Sequence, residues 1–111
     1  MQITFRYDHI DQSEPLEAHA VKKMEGIAKM LSKFDVDGTA HAYIDFMRTD
    51  RHHKSGDIFK AKAELHFPKK VLTTEAVSDD IYRAVDQMRN TLHSLAERYK
   101  GQVVDHDHGN A

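Results

Sequence analysis

"IFKAKAELHFPKKVLTTEAV", residues 58–77, decides the fold. Through its first half, Phe59, Ala61, Ala63, Leu65 and Phe67 alternate with Lys60, Lys62, Glu64 and His66. A period of two marks a strand with one buried face. Pro68-Lys69-Lys70 makes a short connection, and alternation resumes with Leu72, Thr74 and Ala76 inward. Strands joined so tightly pair antiparallel, one face packed and the other wet.

The same period appears twice more. "AHAYIDFMR", residues 40–48, sets Ala42, Ile44 and Phe46 on one face, and "MQITFRYD", residues 1–8, does so with Ile3, Phe5 and Tyr7. Helical spacing fills the gaps. Ser13 is placed as an N-cap before Glu14-Pro15-Leu16. From there Leu16, Ala20, Met24, Ile27, Leu31 and Phe34 recur every three or four residues, predicting an amphipathic helix of about five turns. Asp35 to Gly38 is expected to end it. Ile81, Val85, Met88, Leu92, Leu95 and Tyr99 form a second, unbroken stripe. The order is βαβββα, an α+β two-layer sandwich. Both helices cover one face of a four-stranded sheet, with a right-handed first crossover. Residues 1–100 make the domain, and "GQVVDHDHGNA", residues 101–111, is expected to be a polar mobile tail.

Composition narrows the function. A chain of 111 residues, 40% hydrophobic and 31% charged, suits one globular domain. No apolar run exceeds three residues, too few to span a bilayer, and the N-terminus lacks a signal-peptide pattern. A cytoplasmic location is the default expectation. The absence of cysteine excludes disulfides, Cys–Zn sites and thiol nucleophiles. The formal net charge of −2 conceals a basic middle: residues 48–70 carry seven bases against three acids, while both flanks are acidic.

Ser78-Asp79-Asp80 stands where the last helix begins. Carboxylates there accept from free backbone N–H groups and oppose the positive end of the helix dipole. No catalytic partner for them is evident, so they are assigned to capping rather than acid–base work, and Asp86 is expected to be a surface or salt-bridge residue. There is no Gly-rich phosphate loop and no GxSxG motif, which leaves an enzyme as the weakest function class.

"EAVSDDIYRAVDQMRNTLHSLAERYK", residues 75–100, resembles the C-terminal helix signature of the ribosome hibernation promoting factors and ribosome-associated inhibitors. The matching positions are Asp80, Ile81, Tyr82, Ala84, Val85 and Asp86. "MQITFRY" and "EPLEAHAVKKMEGIAKMLSKFD" are similar to the family's first strand and first helix. The resemblance covers roughly residues 1–100, and the family's fold, related to double-stranded-RNA-binding domains, has the order derived above. It implies a non-enzymatic factor of the stressed or stationary cell, without cofactor or small-molecule substrate. Such a factor binds the small ribosomal subunit near the tRNA and mRNA sites and silences translation. It also implies a short form, monomeric away from the ribosome, because long members carry a further C-terminal domain. Some members bear a legacy name as modulators of an alternative sigma factor.

Binding ribosomal RNA requires cations on a firm scaffold. The candidates are Lys22, Lys29 and Lys33 opposite the first helix's apolar stripe, Lys23 on its flank, and Arg48, Arg51 and Lys54 in one loop. Lys60 and Lys62 join them from the open sheet face, and Arg89, His93 and Lys100 from one flank of the last helix. Each also has a plain reading as a solvated surface charge. On the last helix Arg89 and Lys100 could pair with Asp86 and Glu97, and Tyr82 is expected to pack at the edge of the core. Eighteen acids against sixteen bases is more acidic than the resemblance leads one to expect. Either the acids sit on another face, or ribosome binding is weakened or altered.

Nine histidines suggest two further ideas. "DHDH", residues 105–108, with His52-His53 could chelate a metal weakly, but lacks the spacing of a preorganised site, so no metal is expected. Protonation of all nine, each adding one charge, would carry the formal charge from −2 to about +7 and predicts tighter RNA binding in mildly acid conditions. The rival functions are a generic RNA-binding module and a protein-interaction or regulatory domain that has lost tight ribosome binding.

Overall fold

Alternation along each strand is answered by backbone pairing into one four-stranded sheet. A computed structural model describes residues 1–49 and 56–109, with side chains through Gln102. The strands are β1 (Gln2–Asp8), β2 (His41–Arg48), β3 (Phe59–Phe67) and β4 (Lys70–Ser78), arranged in the order β1-β2-β3-β4. β1 runs parallel to β2, as a helical crossover demands, and the other pairs are antiparallel. The helices are α1 (Glu14–Met30) and α2 (Ile81–Gly109).

The expected inward residues are the core. Ala42, Ile44 and Phe46 of β2 and Ala61, Ala63 and Leu65 of β3 are wholly buried. From α1 come Leu16, Ala20, Met24, Ile27 and Leu31, which caps the helix, and from α2 Ala84, Val85, Met88, Leu92 and Ala96. Leu95, expected in the stripe, is only half-buried. Ala96 next to it faces the core instead. The alanines of β3 leave room for Met88 and Leu92, each worth about 1.5–3 kcal/mol when removed from water. Phe46 fills the other half, with Phe5 and Tyr7 at centroid distances of 5.8 and 5.3 Å.

α1 ends earlier than its apolar period suggests. It stops at Met30, and two 3₁₀ turns, Ser32–Phe34 and Val36–Gly38, carry the chain to β2. Phe34 still reaches the core edge, but from a turn, so the helix is shorter than five turns. Asp37 and Gly38 both take positive φ (54° and 70°), the left-handed conformation that turns the chain. Asp35 fixes this bend: one carboxylate oxygen receives the Met1 amine at 2.6 Å and the other the Ala40 N–H at 2.8 Å. Those bonds hold its pKa below the ordinary aspartate value. At the other end of the chain, α2 continues through Gly109, past the expected end of the domain at residue 100.

The caps behave as the sequence implies. Ser13 Oγ accepts from the Leu16 N–H at 3.3 Å. Asp80 Oδ1 accepts from the Tyr82 N–H at 2.9 Å, and Asp79 pairs with Arg83 one turn on. The two acids that open α2 are structural. Asp80→Ala should lower the stability of the domain by about 1 kcal/mol in urea unfolding; an unchanged midpoint would show that the cap is redundant.

Candidate nucleic-acid interface

Two surfaces carry the predicted cations, and the strand register separates them. On the open sheet face, residues in line across the strands form rows. One row reads Arg6, Asp45, Lys62, Glu75 through all four strands, alternating in sign at every step. The next reads Asp8, Met47, Lys60, Val77. Arg6 grips Asp45 with both Nε and Nη2, the latter at 3.0 Å. Lys62 Nζ lies 3.2 Å from Glu64, and Lys60 Nζ lies 3.7 Å from Glu75. His66 also bonds Glu64, at 3.1 Å. Lys60 and Lys62 point outward as expected, but each meets a carboxylate. Arg48, at the end of β2, is 3.6 Å from Asp57. Arg51, Lys54, His52 and His53 lie outside the described residues.

Tyr43 stands at the centre of this face. His41 stacks on it at 4.4 Å, the Arg6 guanidinium lies over its ring at 4.8 Å, and His66 meets it edge-on at 5.1 Å. The hydrogen bonds from His66 and Lys62 hold the Glu64 carboxyl below the ordinary glutamate value.

The second surface is the seam between the helices. His19 and Lys23 of α1 both reach Asp86 of α2, at 2.7 and 3.6 Å, and Arg89 Nε donates to the Lys23 carbonyl at 3.4 Å. These contacts run in the same order on both helices, so α1 and α2 lie parallel. At about 100° per residue, Lys22 and Lys23 flank Gly26 on the seam side. Glu14, Glu17 and Glu25 wind about 100° or more away from it. Glu17 is turned instead towards the Tyr7 hydroxyl. Lys22, Lys23, Gly26, Arg89 and Asn90 line a groove of about 340 Å³.

Charge here is cancelled only in part: Lys23 meets Asp86, but other cations find no carboxylate. Arg89 donates to a carbonyl and to Asn90, both neutral. Among the described residues, Lys22, Lys29, Lys33, Lys69, Lys70, Arg98 and Lys100 make no ion pair. Asp86 and Glu97 do not neutralise Arg89 and Lys100. Asp86 goes to His19 and Lys23, and Glu97 to His93 at 3.1 Å. Lys33 lies beyond the end of α1, in the first 3₁₀ turn, so it extends the line of Lys22 and Lys29 past the helix. Tyr82, expected at the core edge, is exposed and edge-on to His19 at 5.1 Å. The signal that separates seam from sheet, namely which lysine meets which acid, needs the folded side-chain geometry: Lys60 finds Glu75 across β3–β4, and Lys62 finds Glu64 along β3.

A family model described as "Sigma 54 modulation protein / S30EA ribosomal protein" matches residues 3–104. The chain belongs to that family. Its fold is also that of two solved structures. The Thermus thermophilus Protein Y N-terminal domain superposes with a TM-score of 0.69 at 16% identity, covering 89% of this chain and 99% of that one. A ribosomal subunit interface protein from Coxiella burnetii gives 0.69 at 22% identity, covering 91% and 99%. At such identities the likeness is one of fold. None of the curated proteins matches the chain. No helix among the described residues is long and apolar enough to cross a membrane.

The lowered carboxyl pKa values give a pH test. Because Glu64 and Asp35 release protons more readily folded than unfolded, their stabilisation is present above about pH 4. It is lost as pH falls through the lowered folded-state values. Glu64→Gln should therefore flatten the fall in melting temperature between pH 5 and pH 3. A slope identical to that of the unmodified chain would deny Glu64 this role.

Proposed function

We propose that this protein is a ribosome-associated dormancy factor. It lays the α1–α2 seam on small-subunit ribosomal RNA near the tRNA and mRNA sites, and so holds idle ribosomes out of translation in the stressed or stationary cell. The observation that carries the proposal is that Lys22, Lys29, Lys33, Arg89 and Lys100 along the helices make no ion pair among the described residues, while Asp86 and Glu97 are taken up by His19, Lys23 and His93. Family membership supplies the partner: the family description names a ribosomal protein and one similar structure is titled a ribosomal subunit interface protein.

The seam resolves the overall negative charge. Asp45, Glu64 and Glu75 on the open sheet face are spent on Arg6, Lys60, Lys62 and His66, and Glu14, Glu17 and Glu25 of α1 wind away from α2. A molecule of charge −2 thus presents a basic stripe to phosphate. Lys22, Lys29, Lys33, Arg89 and Lys100 are the proposed phosphate contacts. Lys23 and His93 lie beside them, already paired. Lys60, Lys62 and Arg48 would have to leave a carboxylate before meeting a phosphate, an exchange with little net gain.

Binding then reflects counterion release. The protein should travel with purified small subunits at low salt and leave them at high salt. Lys22→Glu with Arg89→Glu should abolish co-sedimentation, and Lys22→Gln alone should lower the slope of log K against log salt by roughly 0.7–0.9. Lys60→Gln with Lys62→Gln should change binding far less. If the sheet pair abolishes association and the seam pair does not, the seam is not the interface.

A further inference from the structure

At the far end of the seam the line of charge runs into an aromatic groove. The groove, about 180 Å³, forms where the 3₁₀ turns after α1 meet the β3–β4 turn and α2. Three rings and a valine wall it. Tyr99 lies 5.1 Å from Phe34 and 6.3 Å from Phe67, and Val36 is 55% exposed beside them. Lys33 and Lys69 stand at its rim, with no ion pair among the described residues. None of the sheet-face carboxylates reaches it. Apolar walls with two unanswered ammonium groups fit a ligand that is flat and apolar in its body and anionic at its margins.

A nucleotide has that chemistry, and the groove's position says where it comes from. Arg89 and Tyr99 are ten residues apart on α2, about 15 Å at 1.5 Å per residue. An RNA strand whose phosphates follow Lys22, Arg89 and Lys33 along the seam therefore arrives at the groove after a few nucleotides. Its size suits a single base. Drug-sized ligands occupy pockets of roughly 300–1,000 Å³, and unpaired RNA bases are recognised by packing on aromatic side chains.

We propose that this groove receives one unpaired base of the RNA held by the seam, with Lys33 and Lys69 on the adjacent phosphates. The inference rests on the seam reading above and adds to it a preference for RNA with an unpaired nucleotide over perfect duplex. Tyr99, Phe34 and Phe67 supply the apolar contact, and the two lysines supply orientation.

The test compares two RNA hairpins with the full chain at fixed low salt, by fluorescence anisotropy. One hairpin is blunt and the other bears a short single-stranded tail. The tailed RNA should bind about tenfold more tightly. Tyr99→Leu, which keeps an apolar partner for Phe34 and Phe67, should erase that preference and leave blunt-hairpin affinity unchanged. Lys33→Gln with Lys69→Gln, at exposed positions that cannot unfold the domain, should reduce the preference severalfold. Equal binding of the two hairpins by the unmodified chain, or a preference that survives both variants, overturns the proposal. Binding of free adenosine monophosphate as tight as that of the tailed RNA overturns the assignment to RNA. Failure to bind either hairpin, or small subunits, is a different result: it removes the seam reading itself and this proposal with it.

Discussion

The structure depends on one constraint: the sheet has a single apolar face, and both helices must share it. Alanines at 42, 61 and 63 make that face shallow enough for two helices to lie side by side, and Met24, Ile27, Met88 and Leu92 fill the space between. Parallel packing follows, because β1 and β4 run the same way through one parallel and two antiparallel pairings, and each is followed by a helix that returns across the sheet. Once the helices are parallel and adjacent, the flank of α1 that bears Lys22 and Lys23 faces the flank of α2 that bears Arg89. The basic seam is a by-product of core packing.

The opposite face shows what the same residues do without that constraint. Strand register sets Arg6, Asp45, Lys62 and Glu75 in line, and each cation finds an anion at its own side. Such exposed pairs contribute little stability individually. Their effect is on availability: the sheet's cations Arg6, Lys60 and Lys62 are already held by carboxylates, while Lys22, Lys29 and Arg89 on the helices are not. Net charge is therefore a poor guide to this protein, since its sheet cations are paired with carboxylates while several helix cations are not.

Much of this was legible in the sequence. The period-two runs and the stripe on α2 gave the element order, because large apolar residues at regular spacing have few other uses. Small residues carried less signal: Ala84 and Ala96 are buried as fully as Leu92, yet alanine marks neither face of a helix by itself. The end of α1 was hidden because Leu31 and Phe34 keep the helical phase even though the backbone has turned at Met30. The binding surface was half visible. Its lysines could be named, but Lys60 and Lys62 could not be set apart from Lys22 and Lys29. Their partners Glu75 and Glu64 are assigned only by folded side-chain geometry, the first across β3–β4 and the second along β3.

The central claim, that phosphate meets the seam and not the sheet, is open to a direct reading by lysine footprinting. The protein is acetylated free and bound to small ribosomal subunits, and the modification of each lysine is compared by mass spectrometry. Protection of Lys22, Lys29, Lys33 and Lys100, with Lys60 and Lys62 equally reactive in both states, is the predicted result. Protection confined to Lys60 and Lys62 would contradict it.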